Sequence, residues 1–280
     1  MRTIRLNNGV EIPALGFGVF QIPDLEECKQ VVSDAIVAGY RLIDTASIYK
    51  NEEAVGEAIR ESGLLRSDLF IASKVWIHDT GYERTKHAFA DTLEKLGTDY
   101  LDLYLIHMPF GDYYGSWRAM EELYEAGKIR AIGVCNFNAD RLIDLCMNVK
   151  IVPAINQIET HPFCQQTQIL ETLKEYDIRM QAWGPFAEGR NGIFGNERLT
   201  AIGRKYGKTA AQVILRWHIQ RGVIAIPKSV HKERIEENFA IWDFSLTEED
   251  MTAIAGMDMC RGMILDVLDP SEIHRVYAIR

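Results

Sequence analysis

The sequence predicts an α/β fold: a (β/α)8 TIM barrel with an N-terminal β-hairpin cap and a C-terminal tail over the barrel mouth. Two observations carry this prediction. Eight short apolar runs alternate with helical stretches along the 280 residues, a rhythm that builds a parallel sheet with helices outside. Eight such units in about 250 residues match a closed barrel. A doubly wound sheet is disfavoured because no GxGxxG opens a helix; Gly16-Phe-Gly-Val-Phe-Gln21 fails at the third glycine.

The elements follow in order. Residues 4–13 alternate around Asn8-Gly9, a pair suited to a type I′ hairpin turn. Strands are expected near 15–19, 41–44, 69–74, 101–107, 130–135, 153–158, 178–183 and 223–227. Helices are expected over Leu25–Ala38, Glu52–Glu61, Arg84–Leu96, Trp117–Ala126, Ala139–Met147 and Gln166–Tyr176. Thr209-Ala-Ala-Gln212 is a capping-box pattern with Gly222 as a natural stop. Thr247-Glu-Glu-Asp250 loads a further helix start with acids. The stretch 184–208 is rich in glycine and reads as a loop that folds over a ligand. The tail from Cys260 to Arg280 has no clear periodic face. It carries five large aliphatics between Met263 and Leu268, too many for a solvated end. One domain spanning 1–280 is the expectation.

Composition narrows the function. A net charge of −9 disfavours a nucleic-acid partner and docking on an anionic membrane. Five scattered cysteines without a CxxC pair read as reduced thiols of a cytoplasmic protein. Met1 to Gly9 lacks the apolar segment of a signal peptide, and no apolar run approaches the ~20 residues of a membrane span. A monomer is expected.

The chemistry lies where the strands end. Asp44 closes Arg41-Leu-Ile-Asp, Tyr49 follows five residues on, Lys74 closes Phe70-Ile-Ala-Ser-Lys, and His107 closes Leu101-Asp-Leu-Tyr-Leu-Ile-His. A titratable group at the end of a buried strand is costly unless paired or used. Alone, each has an ordinary structural reading: a helix cap, a surface charge, a core histidine. Together they form a tuned acid. An ammonium beside a phenol lowers its pKa, and a carboxylate keeps the ammonium charged. Tyr49 is then the proton donor, Asp44 and Lys74 the tuning pair, and His107 the group that positions a carbonyl oxygen.

Asn136, Gln157 and Trp183 stand at further strand ends. Two amides and an indole face could hold a planar heteroaromatic carboxamide. Ile226-Pro-Lys-Ser precedes a helix start with two cations, Lys228 and Arg234, and offers a phosphate site.

At this point the chain resembles the aldo-keto reductase family, from the hairpin to about residue 256. Gly39–Gly56 resembles the family's first signature, Leu101–Pro109 the second, and Ile226-Pro-Lys-Ser with Arg234 and Asn238 the third. The pattern is most similar to the bacterial branch that includes diketogluconate and glyoxal reductases. The resemblance implies a (β/α)8 enzyme binding NADPH/NADP in extended form. It assigns the catalytic tetrad to Asp44, Tyr49, Lys74 and His107, and the nicotinamide contacts to Asn136, Gln157 and Trp183. The adenosine-phosphate contacts fall on Lys228, Ser229, Val230, Arg234, Glu237 and Asn238. Three positions depart from the pattern: Cys135 where serine is usual beside the carboxamide, Met108 where tryptophan is common, and Gly184 in place of a frequent serine near the pyrophosphate.

The resulting expectation is NADPH-dependent reduction of small aldehydes, α-dicarbonyls or keto-sugars. Phe20, Trp76, His107, Met108 and Trp183 would line the substrate pocket, completed by the 110–115 loop and the tail. The alternatives are a cofactor-binding regulatory barrel with little turnover, and a barrel isomerase or lyase without nicotinamide.

Overall fold

A computed structural model describes residues 2–280. The chain opens with β1 (Thr3–Arg5) and β2 (Glu11–Pro13), an antiparallel pair with Ile4 opposite Ile12. Its turn is not the expected type I′. The Gly9 N–H donates to the Leu6 carbonyl at 2.9 Å and the Leu6 N–H to Val10 at 2.9 Å. Gly9 sits at φ 85°, while Asn8 is not among the positive-φ residues. Type I′ needs φ > 0 at both central residues; a three-residue loop with glycine in the left-handed position needs only one.

Eight parallel strands follow: β3 (Gly16–Gly18), β4 (Leu42–Asp44), β5 (Phe70–Val75), β6 (Leu103–Ile106), β7 (Ile132–Cys135), β8 (Ile155–Glu159), β9 (Arg179–Trp183) and β10 (Ile224–Ala225). They pair in sequence order from β3 to β10. The parallel bridge Leu15–Ala225 and the Gly18 N–H to Pro227 carbonyl bond at 3.0 Å join the two ends. Every strand expected from the apolar runs is present.

The helices α1 (Leu25–Ala38), α2 (Glu52–Glu61), α3 (Tyr82–Leu96), α4 (Tyr113–Glu125), α5 (Ala139–Asn148) and α6 (Thr167–Glu175) fall between the strands. Asp24 caps α1 by accepting from the Glu27 N–H at 2.8 Å, and Gly39 at φ 113° ends it. The stretch read as a loop at 184–208 contains α7 (Glu197–Tyr206). Its signal was Asn196, whose side chain caps the N–H groups of Arg198 and Leu199. Then come α8 (Ala210–Gln220), α9 (Lys232–Phe239) and α10 (Glu248–Ala255). Thr209/Gln212 and Thr247/Asp250 both close as capping boxes.

Strand alternation sorts the core into two layers. Leu42, Phe70, Ala72, Leu103, Leu105, Ala131, Ile155, Ile224 and Ile226 fill the barrel interior, with Leu6 and Ile12 of the hairpin packed against them. Ile43, Ile71, Tyr104, Ile106, Val134, Ile158 and Met180 face the helices. The same alternation aims Asp44, Lys74 and Gln157 inward at the C-terminal ends of their strands.

The tail is more regular than its sequence suggested. Asp269 caps a final helix, α11 (Pro270–Ala278), with proline in its first turn. Ile273 and Val276 pack with Leu265 and Val267 onto Trp76, Ile77, Met108 and Phe110. The Trp76 indole donates to the Ile279 carbonyl at 3.1 Å, Lys50 Nζ to the Arg280 carbonyl at 2.9 Å, and His78 Nε2 lies 3.0 Å from the Tyr277 carbonyl. The tail therefore lies across the mouth, as expected. Val276 is buried in this cluster and Leu265, Val267 and Ile273 are partly so, an apolar anchoring that works against the entropy cost of ordering a chain end.

Candidate active site

Lys74 is fully buried, at 0% exposure, and Asp44 is 2% exposed. Lys74 Nζ donates to Asp44 Oδ1 at 2.5 Å and to the Thr45 carbonyl at 2.7 Å. The other Asp44 oxygen accepts from Gln157 Nε2 at 2.8 Å, and Gln157 also donates to Gln181 Oε1 at 2.9 Å. Burying the ion pair is tolerable because both partners hold further hydrogen bonds.

Above this pair, the chain leaves β4 in a single 3-10 turn, Ser47–Tyr49. The turn tips the Tyr49 ring over the ammonium, with Lys74 Nζ 5.0 Å from its centroid. The Tyr49 hydroxyl lies 3.5 Å from His107 Nε2. Phe20 packs 5.0 Å from the Tyr49 ring and Trp76 5.0 Å from the His107 ring. Asn136 adopts φ 62° directly after β7. Its Nδ2 donates to the His107 carbonyl at 3.1 Å, and its Oδ1 accepts from the Trp183 indole at 2.9 Å. Met108 Sδ lies 3.5 Å from Asn136 Nδ2. Ten expected residues thus form one connected group: Asp44, Tyr49, Lys74, His107, Asn136, Gln157, Trp183, Phe20, Trp76 and Met108.

The electrostatics depart from the expectation in one respect. Burial pushes the Tyr49 phenol up, and the Lys74 charge only partly opposes it, leaving a pKa of about 12. The lysine acts in the expected direction but burial outweighs it. Lys74 itself loses from burial yet is held above its ordinary value, chiefly by Asp44. His107 is lowered well below 6.5 by burial and by the Lys74 charge, so it is a neutral imidazole at pH 7. Cys135 faces the same interior, and burial raises its thiol pKa despite Lys74.

The second expected group lies beyond β10 and makes no side-chain hydrogen bond to the tetrad. Ser229 is 8% exposed, and its hydroxyl accepts from the His231 N–H at 3.1 Å at the start of α9. Arg234 is exposed and Lys228 half-buried; among the described residues neither has an ion-pair partner, whereas neighbouring Lys232 pairs with Asp34 at 3.4 Å. Glu237 accepts from the Thr209 hydroxyl at 2.8 Å. Val230 packs on the core, and Asn238 is buried. Two unneutralised cations beside a serine and a helix start suit a phosphate. Among the described residues no cluster of His, Cys, Asp and Glu could hold a metal ion.

A family model, the aldo/keto reductase family, matches residues 14–192 and 193–258. The chain belongs to this family. It is 50% identical over 257 residues to glyoxal reductase of Bacillus subtilis, covering 91% of this chain and 92% of the relative. It is 42% identical over 258 residues to methylglyoxal reductase DkgA of Escherichia coli, covering 91% and 93%. A crystal structure of a Bombyx mori aldo-keto reductase in complex with NADP superposes with TM-score 0.91 at 36% identity, covering 97% of each chain. The chain is thus an oxidoreductase of the aldo-keto reductase type.

Some contacts escaped the sequence reading. Gln181 and Thr45 complete the surroundings of the buried pair. Gln21 donates to Glu188 at 3.2 Å, tying β3's exit to the 187–195 segment. Glu159 ends β8 at the mouth, opposite Trp183 in register. It is a polar residue closing an apolar strand, the same signal that marked Asp44 and Lys74.

Proposed function

We propose that this chain reduces small aldehydes and α-dicarbonyls to alcohols with NADPH, using Tyr49 as proton donor. One observation carries the reading: a buried Lys74–Asp44 pair at 2.5 Å beneath a tyrosine whose hydroxyl shares its site with a neutral histidine. The similarity to glyoxal and methylglyoxal reductases supports the substrate class.

In this proposal Lys228 and Arg234 bind the adenosine phosphate, with Ser229, Val230, Glu237 and Asn238 shaping that end. Asn136 and Gln157 hold the carboxamide while Trp183 offers its face. When bound, NADPH supplies the reducing equivalent to the carbonyl carbon. Neutral His107, in its Nε2–H tautomer, donates a hydrogen bond to the carbonyl oxygen and aims it at Tyr49. Tyr49 transfers its proton as negative charge develops on that oxygen, and water returns a proton to the phenolate afterwards. Lys74, held charged by Asp44, stabilises the transient phenolate. Phe20, Trp76, Met108 and the tail wall the pocket and exclude water.

We also propose a single domain over 1–280, acting as a cytoplasmic monomer without nucleic-acid or membrane partners. The net charge of −9 supports the last point, and among the described residues no helix is long and apolar enough to cross a membrane. The test is steady-state NADPH oxidation with a panel of aldehydes and dicarbonyls. Saturable turnover is expected. NADPH binding without turnover of any carbonyl would refute the reading and favour a regulatory barrel.

A further inference from the structure

Glu159 is 4% exposed, on the inner face of the barrel mouth, and is not among the residues that approach the reacting atoms. Three of the four residues that bond its carboxylate come from the tail. Its Oε1 accepts from the N–H groups of Met263 at 2.6 Å and Ile264 at 3.2 Å, and its Oε2 from those of Ile264 at 3.2 Å and Leu265 at 3.1 Å. Three successive backbone N–H groups converging on one carboxylate form an anion nest. The remaining partner is His161, whose Nε2 lies 3.0 Å from Oε1. His161 Nδ1 accepts from the Phe163 N–H at 3.2 Å, so the ring proton sits on Nε2 and points at Glu159.

The turn is shaped for this carboxylate. A Cβ on Gly262 would stand 2.9 Å from the Leu265 carbonyl and 3.3 Å from Glu159 Oε2. A Cβ on Gly184 would meet Ile264 Cδ1 at 3.0 Å, so the glycine found where serine is frequent makes room for the seated tail. Arg190 donates to the Met263 carbonyl from the other side. Leu265, the last residue of the nest, and Val267 join Trp76 and Met108 in one apolar cluster, and Trp76 packs 5.0 Å from the His107 ring.

We propose that Glu159 is a positioning residue for the carbonyl substrate: its carboxylate seats the 262–265 turn, which places the roof of the pocket over Trp76 and His107. The inference rests on the carbonyl-reductase reading above. An apolar strap alone could slide on the aliphatic cluster; three charge-assisted hydrogen bonds to one buried carboxylate fix its register.

Glu159→Gln keeps the volume but turns an NH2 donor toward backbone donors. Losing at least one charge-assisted bond should raise KM for aldehydes about tenfold or more. NADPH affinity should change less than KM, because Leu265 and Val267, carried by the turn, pack on Trp76 and Met108 of the proposed substrate walls. Amide hydrogen exchange at 263–265 and along α11 should accelerate by a similar factor. Glu159→Asp, which retains the charge, should recover part of both effects. Gly262→Val, leaving Glu159 intact, should reproduce the exchange and KM changes and guards against a folding defect specific to Glu159→Gln. If both variants leave KM or tail exchange at wild-type values while the wild type reduces aldehydes, the positioning role is overturned and the functional reading stands. A wild-type chain without carbonyl turnover overturns both.

Discussion

Tyr49→Phe separates proton donation from every structural duty of this side chain. The ring remains packed 5.0 Å from Phe20 and 5.0 Å from the Lys74 ammonium, so packing changes little. The lost hydroxyl has one direct hydrogen bond, to His107 Nε2 at 3.5 Å, which is at the long limit of such a bond, and otherwise feels the Lys74 charge. Its removal should cost less than about 1 kcal/mol of stability. General acid catalysis is worth ~100-fold or more, or at least about 2.7 kcal/mol in the barrier at 1.36 kcal/mol per decade. Because the hydroxyl acts only as charge develops on the substrate oxygen, the loss should fall on kcat with NADPH affinity within a few-fold of wild type. The assay is NADPH oxidation with methylglyoxal at saturating cofactor, with cofactor binding followed by tryptophan fluorescence and folding by urea denaturation. Retention of more than about a tenth of kcat would refute the proton-donor role. A large drop in the urea midpoint would mean that the hydroxyl is structural instead.

Other expectations follow from the same geometry. Arg234→Ala should raise the NADPH dissociation constant by about tenfold or more, one charge-assisted hydrogen bond, and barely change that for NADH; equal losses would make the segment merely structural. Lys74→Met leaves the buried Asp44 carboxylate with Gln157 alone and should cost about 3–5 kcal/mol in urea denaturation, so an unchanged midpoint would contradict the ion-pair assignment. His218 is fully buried with neither ring nitrogen hydrogen-bonded, and burial and the Arg221 charge hold it well below 6.5. Below about pH 6.5 the unfolded chain takes up a proton that the native state refuses, so stability should fall with decreasing pH by about 1.4 kcal/mol per unit from this group. His218→Leu should reduce that slope, and an unaltered slope between pH 6.5 and 5 would sink the argument. Truncation after Gly256 should reorder aldehyde preference while NADPH still binds, and an unchanged ranking would reduce the tail to an appendage.

The barrel was legible because its two periodicities are local. Ile43 and Ile106 alternate with Asp44 and Leu105 on strands, and α8 and α10 carry their own capping boxes. Residues at strand ends were legible for the same reason: a closed parallel barrel brings the C-terminal ends of its strands together, so Asp44, Lys74 and His107 had to meet. Harder to read were features set by contacts distant in sequence. Glu159 meets Met263 across a separation of 104 residues. The order of α11 depends on Trp76, Met108 and Phe110, so its own sequence reads as irregular. The hairpin turn failed for a subtler reason: Asn8-Gly9 fits two turn types, and the register of Ile4 against Ile12 decides between them.

The tetrad's electrostatics show why residue types alone were insufficient. A lysine beside a tyrosine suggests a lowered phenol pKa, and Lys74 does act in that direction. Yet the dryness that strengthens the lysine's field also penalises the phenolate, and here the penalty is larger: Tyr49 stands near 12. At neutral pH the phenol is therefore fully protonated, which is the form a donor needs before the reaction. The pair's value lies in the step itself, when a carbonyl oxygen gains charge and the proton leaves Tyr49. Lys74 is then already in place, charged and fixed by Asp44 and the Thr45 carbonyl, and stabilises the new phenolate without reorganisation. The buried pair stands ready for a charge that appears only in the transition state.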